Sequence, residues 1–430
     1  MFFMGKKTIF LIIFFALAVL SVTYFAVGVR DGELPAAGVK EANDGPVENS
    51  SGGASVGLFP RELVVPDRYK TGTFAVPRRL NLPEGLSISV FAAGLENARA
   101  MDFSEEGNTF VTDLSGSVKL LRDADKDGVA EEIITVDQNL QNPHGIDFFE
   151  NDLYVGEEHQ VVVYRNINEE GKYQRKEVLI DNLSSGRGHA TRTVKIGPDR
   201  KIYLHVGSSC NVCEETDERR ATILRYDLDG SFDRIIGAGL RNTVGFAFKP
   251  LLSPPLSTGE GVKFELWAAD NGRDRIGDNI PPEEVNLVYV SGQEETKNFG
   301  WPYCYGRGIA NPEYPGRADY CQNQTEFPRY EMQAHSAPLG IAFVSDSFSK
   351  ELAGDVVVSF HGSWNRSEPT GYKIVRIDPD GSGETADFIT GWRDANGRVW
   401  GRPVDVKFSA DGNLFISDDL AGAVYRVSKK

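Results

Sequence analysis

PHGIDFFENDLYVGEEHQVVVYRNI, residues 143–167, holds three short runs in which apolar and polar side chains alternate: PHGIDF (143–148), DLYVGE (152–157) and QVVVYRNI (160–167). Side chains along a strand point to opposite faces with period two, so this alternation, bounded by Asn, Asp and Gly, reads as strand, turn, strand, turn, strand. The three-part phrase recurs along the chain. Its first part returns as RAMDF (99–103), TRTVKI (191–196), TVGFAF (243–248), PLGIAF (338–343) and RPVDVKF (402–408). Its second part follows as NTFVTD from Asn108, KIYLHV from Lys201, ELWAAD from Glu265, DVVVSF from Asp355 and NLFISD from Asn413. The third part is SVKLLRDAD, TILRYDLDG, EVNLVYV, YKIVRIDPDG and AVYRVS. Six copies of one small sheet specify a radial array, and they predict an all-β, six-bladed β-propeller over residues 81–430. Uneven spacing places long loops at 251–261 and 300–334, which are expected to crowd one face and build a pocket there. The segment PEGLSISVF (83–91) is expected to close the ring against the C-terminal blade.

Charge and composition narrow the function. Lys and Arg number 46 against 62 Asp and Glu, a net charge of −16, which excludes a protein built to meet a phosphate backbone. The 40% hydrophobic content is enough for a large core. At the N-terminus, Lys6 and Lys7 precede an apolar run over 9–29. About 20 apolar residues suffice to span a bilayer, and the basic flank stays on the cytoplasmic side. Residues 1–30 are therefore expected to be a transmembrane helix acting as membrane anchor, or a long signal sequence, with the remainder extracytoplasmic, periplasmic or at the cell surface. The small, polar stretch that follows is expected to be a flexible linker over 31–80.

The four cysteines, Cys210, Cys213, Cys304 and Cys321, all fall in the exported part. An oxidising compartment favours disulfides, most simply 210 with 213 and 304 with 321. A four-thiolate zinc site is the rival, and it would want a second C-x-x-C. Four of the six histidines, His144, His189, His335 and His361, stand beside Gly, Ala or Ser where a blade or loop begins. A propeller brings such loops to one axial mouth. Arg241, Arg366 and Arg402 stand at similar positions, and converging guanidinium groups suit a small polyanionic ligand. Separately, Asp123, Asp125 and Asp127 occupy the first, third and fifth places of a calcium-loop pattern whose twelfth place is Ile134 instead of Glu; the alternatives are a second calcium site or an acidic hairpin turn.

In order, the phrases RGHATR (187–192), GLRN (239–242), ADNG (269–272), EEVNLV (283–288), NFGWP (298–302), HSAPLGI (335–341), HGSWNR (361–366) and GRPVDV (401–406) resemble the soluble glucose/sorbosone dehydrogenase family, nearer its sorbosone branch. The resemblance covers about residues 82–427. It implies a quinoprotein that uses pyrroloquinoline quinone and calcium to oxidise a sugar, aldehyde or polyol hydroxyl, passing electrons to an external acceptor. It also implies roles for residues. His189 matches the general base, and neutral imidazole suits that task near pH 7. Arg241 and Asn242 match the pair beside the quinone carbonyls. Gly272 and Arg273 match the positions whose backbone carbonyls bind calcium. Arg402 matches a cofactor-binding arginine, and His335 and Arg366 fall in phrases that would contact the cofactor. Several positions depart from the pattern: Val404 replaces a second arginine, Gly188 replaces an acid before the base, and Ser208 replaces the acid expected to orient it. A lactonase-like calcium-dependent hydrolase and a non-catalytic binding module remain the competing readings.

Overall fold

The computed structural model describes residues 57–251, 262–381 and 383–430. The apolar run at 9–29, the linker up to residue 56 and nearly all of the 251–261 loop lie outside them. Among the described residues no helix is long and apolar enough to cross a membrane.

Six four-stranded antiparallel blades follow the sequence phrases: 98–138, 146–180, 194–238, 243–332, 338–389, and a last one that joins 403–429 to 86–93. The last blade closes the ring as expected. Leu86–Ala93 pairs with Ala423–Lys429 from Leu86 opposite Lys429 to Ala93 opposite Ala423, so the two ends of the propeller share one sheet. The third blade carries a short fifth strand, Lys297–Asn298, parallel to Phe232–Ala238.

Blades stack face to face, so their middle strands are buried on both sides. Thr109–Asp113, Ile202–Val206, Val356–Phe360 and Leu414–Asp418 are buried at every position, which explains their near-continuous Val, Ile, Leu and Phe content. Core clusters bridge neighbouring blades: Phe110, Val118 and Leu120 of the first pack with Leu153, Val155 and Tyr164 of the second.

The innermost strands show why the repeated phrase carries glycine. At Gly145, Gly245 and Gly340 a Cβ would strike the backbone of the next blade at Val194, Leu339 and Asp405 respectively. The innermost strands are also stapled by acids. Asp405 accepts from Met101 N (2.9 Å), Asp102 from Phe148 N (2.8 Å) and Asp147 from Ile196 N (2.8 Å), which ties the sixth, first, second and third blades in series.

The linker expected to reach residue 80 ends earlier in the structure. Leu58–Glu62 pairs with Arg79–Pro83, and Leu63, Phe74 and Leu80 are buried in the core cluster of the last blades. Asn81 then exchanges backbone hydrogen bonds with Thr390 (2.7 and 3.1 Å), covering the outer edge of the fifth blade. Alternating apolar residues in this stretch, outside the repeat, have a face to bury.

Candidate active site

His189 stands on the loop entering the third blade. Its Nδ1 lies 3.1 Å from the Ser208 carbonyl and 3.0 Å from Ser208 Oγ, while that hydroxyl donates to the Cys210 carbonyl at 2.8 Å. A carbonyl only accepts, and the single hydroxyl hydrogen of Ser208 is committed to Cys210, so Nδ1 carries the proton. Nε2 is left with a free lone pair. Protein encloses the ring on most sides, and this burial, with Arg241 as the nearest adverse charge, lowers its pKa to about 3. The imidazole is therefore neutral and proton-accepting throughout the neutral range.

The missing acids now have a physical account. Gly188 has φ +68°, and a Cβ there would strike the Ser208 and Ser209 backbone, so no acid fits before the base. The Ser208 carbonyl and hydroxyl do the orienting that an acid would otherwise do.

Arg241, at the entry to the fourth blade, is buried in a cage of oxygens. It donates to the Asn211 carbonyl (3.1 Å) and Asn211 Oδ1 (3.0 Å), the Asn271 and Gly272 carbonyls (3.3 and 2.8 Å), and Asp274 Oδ2 (3.2 Å). Asp270 fixes the backbone below by accepting from Arg241 N (3.1 Å), Asn242 N (2.9 Å) and Thr243 Oγ1 (2.7 Å); burial raises its pKa to about 6. Glu283 holds Gly272 N (2.6 Å) and Ala337 N (3.1 Å), with its pKa pushed up to about 8 by burial that those bonds only partly offset. None of Asn211, Asp274 or Ser208's carbonyl carries a sequence motif of its own; the signals were adjacency to the C-x-x-C pair for Ser208 and Asn211 and to the ADNG phrase for Asp274.

Other expected contacts are engaged elsewhere. His335 Nε2 donates to the Gly277 and Ile280 carbonyls (2.7 and 3.1 Å), and Arg366 donates to the Asp278 carbonyl (2.8 Å) and Asn279 Oδ1 (3.0 Å). Both pin the 277–280 loop. Arg402 donates to the carbonyls of His361 (3.2 Å) and Gly362 (3.1 Å). His361 Nε2 sits 2.9 Å from both oxygens of Asp419, which also receives Arg99 (2.8 Å). Arg99 was legible only as a strand residue. Val404 is buried with Val244 and Leu339, so the position of the lost arginine belongs to an apolar plug. Arg273 reaches Glu313 and Asn311 (3.4 Å) of the loop stapled by the second disulfide.

The cysteines pair as the compartment argument expected, 210 with 213 and 304 with 321. Asp123, Asp125 and Asp127 cluster with Glu131, their oxygens within 4.8 Å of one another. The fourth acid is thus Glu131, and Ile134 lies in the strand Glu132–Gln138.

One observation bears on whether a planar quinone fits beside His189. Asn242 Oδ1 is buried without a partner, and a Cβ at residue 207 would lie 2.9 Å from it and 2.6 Å from His189 Cβ. Only glycine at 207 lets the base and this amide approach so closely, and a quinone carbonyl, itself an acceptor, would be met by Asn242 Nδ2 and not by Oδ1.

The loops of this six-bladed propeller thus carry a neutral histidine with a free nitrogen, a caged arginine and a carbonyl-rich loop, the arrangement against which its relatives can be set. The model of the TrAA12-like family matches residues 80–430, and the chain belongs to that family. It is 32% identical to an uncharacterized protein of Borreliella burgdorferi over 81% of this chain and 90% of that one. It is 26% identical to a pyrroloquinoline quinone-dependent pyranose dehydrogenase of Coprinopsis cinerea over 82% of this chain, spanning 55% of that longer protein. Among solved structures, the holo form of the pyranose dehydrogenase PQQ domain from Coprinopsis cinerea superposes with a TM-score of 0.67 at 23% identity, covering 82% of this chain and 97% of that one.

Proposed function

We propose that this chain is a pyrroloquinoline quinone-dependent dehydrogenase that oxidises a hydroxyl-bearing carbon of a pyranose or related aldose, including sorbosone-type substrates. The observation that carries the reading is His189, whose Nδ1 is locked as a donor so that Nε2 is free to take a proton. Its relatives that act on pyranose through this cofactor support the substrate class.

When bound, the quinone supplies the hydride acceptor. His189 Nε2 takes the hydroxyl proton of the sugar, a contribution of about 10²–10⁴ in rate for a positioned base. Asn242 and Arg241 would hold the quinone edge, with the guanidinium favouring the negative charge that accumulates there. Arg402 lies toward the opposite blades and would meet a carboxylate group of the cofactor. The carbonyls of Gly272 and Arg273 suit calcium. Because Arg241 already donates to the Gly272 carbonyl at 2.8 Å, calcium there and this contact are competing uses of one oxygen. The basic flank and apolar run at 6–29, with two disulfides, support an exported, membrane-tethered enzyme that passes electrons to an external acceptor.

The test is reconstitution of the purified full-length protein with pyrroloquinoline quinone and calcium, followed by dye reduction with a panel of aldoses, polyols and lactones. Saturable cofactor binding and dye reduction by at least one aldose are expected. Cofactor binding without reduction by any sugar, or lactone hydrolysis without a quinone, would overturn the reading.

A further inference from the structure

The disulfide loop Cys210–Cys213 contributes more to the site than a staple. Asn211, inside it, uses its side-chain amide and its backbone carbonyl. Its Oδ1 accepts from Arg241 Nη2 (3.0 Å) and Asp274 N (2.9 Å), its Nδ2 donates to the Asp274 carbonyl (3.1 Å), and its own carbonyl accepts from Arg241 Nε (3.1 Å) and Trp301 Nε1 (3.3 Å). One residue earlier, the Cys210 carbonyl takes the Ser208 hydrogen (2.8 Å) and thereby leaves Ser208 Oγ as a second acceptor for His189 Nδ1–H. The loop touches both halves of the site, the base through Ser208 and the cation through Asn211.

We infer that Asn211, held by the Cys210–Cys213 disulfide, is a positioning residue that keeps Arg241 in place and couples it to the His189 side of the site. Without the disulfide, Cys210 and Asn211 belong to a short loop outside any strand or helix, held only by the hydrogen bonds just named. With it, both carbonyls are fixed to within the slack of one covalent link. The two disulfides are not equivalent in access. Cys210 and Cys213 are partly exposed, whereas Cys304 and Cys321 are buried. A change confined to the first pair is therefore separable from a general loosening of the fold.

This inference rests on the dehydrogenase reading for its meaning in catalysis, but its test need not. In the full-length protein, the rate at which phenylglyoxal modifies Arg241 is followed by peptide mass spectrometry, with exposed Arg175 as the internal reference. Caged as it is, Arg241 should react slowly in the wild type. It should react about tenfold faster in Asn211→Ala and in the Cys210→Ser/Cys213→Ser double variant, with Arg175 unchanged. Asn211→Asp, which keeps an acceptor for the guanidinium, should restore protection. Titration with pyrroloquinoline quinone in the presence of calcium is the second readout, and Asn211→Ala should bind it about tenfold more weakly with a melting temperature close to wild type. Unchanged protection of Arg241 in both variants would overturn the inference. So would equal reactivity of Asn211→Ala and Asn211→Asp. If the wild type binds no quinone, the functional reading fails, and the protection of Arg241 still decides the positioning role.

Discussion

His189 and His361 stand on opposite sides of the propeller mouth and look alike in sequence, each beside glycine in a polar loop. Burial lowers both, His189 to about 3 and His361 to about 4. The difference lies in their partners. His189 hands its Nδ1 proton to the Ser208 carbonyl and hydroxyl and keeps Nε2 free, whereas His361 has Nε2 fixed on the Asp419 carboxylate, itself paired with Arg99. Each neutral ring keeps one nitrogen without a hydrogen bond, Nε2 in His189 and Nδ1 in His361, so what separates them is their surroundings: His189 stands beside Arg241 and Asn242, His361 within the Asp419, Arg99 and Arg402 group. The same contrast separates the two arginine sets. Arg241 is gathered into an oxygen cage beside the base, while Arg99 balances a carboxylate that orients a structural histidine.

The comparison breaks most visibly at the base. His189→Gln keeps the ring's hydrogen-bonding size while removing the proton acceptor, and should lower kcat/KM for sugar about 10³-fold with cofactor affinity within a few-fold. Steady-state dye reduction and a quinone titration on the same protein separate the two effects. Arg241→Gln should lower kcat about 10²-fold, since a charge aimed at the quinone edge is lost. It should also move the pH profile. His189 is active when neutral, so activity falls as pH drops through its pKa. Arg241 holds that pKa down by like-charge repulsion, so its removal raises the pKa and shifts the acid limb of kcat/KM upward toward 6.5, whereas the wild-type limb should lie below pH 5. An acid limb near 6.5 in the wild type would mean that His189 is not buried as a neutral base.

On the other side of the mouth the effects should be on stability. Asp419→Asn leaves Arg99 buried without its carboxylate and should cost about 2 kcal/mol in denaturant unfolding. His361→Gln should change sugar turnover less than about threefold, since its Nε2 has no role in proton transfer. A large loss of turnover in His361→Gln with His189→Gln active would reverse the assignment.

Much of the architecture was legible because a propeller repeats one small sheet. The PHGID, TVGFAF and PLGIAF phrases carry glycine where neighbouring inner strands meet, and the middle strands of the blades are apolar because both faces are covered. The segment at 57–80 was not legible as ordered structure, since it stands outside the repeat and the connection between Leu58–Glu62 and its antiparallel partner Arg79–Pro83 carries no tight-turn signal. At the site, His189, Arg241 and Asn242 lie in phrases that the family resemblance carried. Asn211, Asp274 and Arg99 did not, because their roles depend on which carbonyl faces which guanidinium across two or three blades. His335 and Arg366 show the reverse: polar residues in the right phrases that the structure turns to the 277–280 loop.

The central claim is that His189 accepts the sugar's proton during oxidation by the bound quinone. Stopped-flow mixing of sugar with the reconstituted protein, following the absorbance of the bound cofactor, tests it most directly. The account predicts sugar-dependent reduction in the wild type that slows about 10³-fold in His189→Gln at equal cofactor occupancy. Reduction at the same rate in both proteins, or none in the wild type with any aldose, would contradict it.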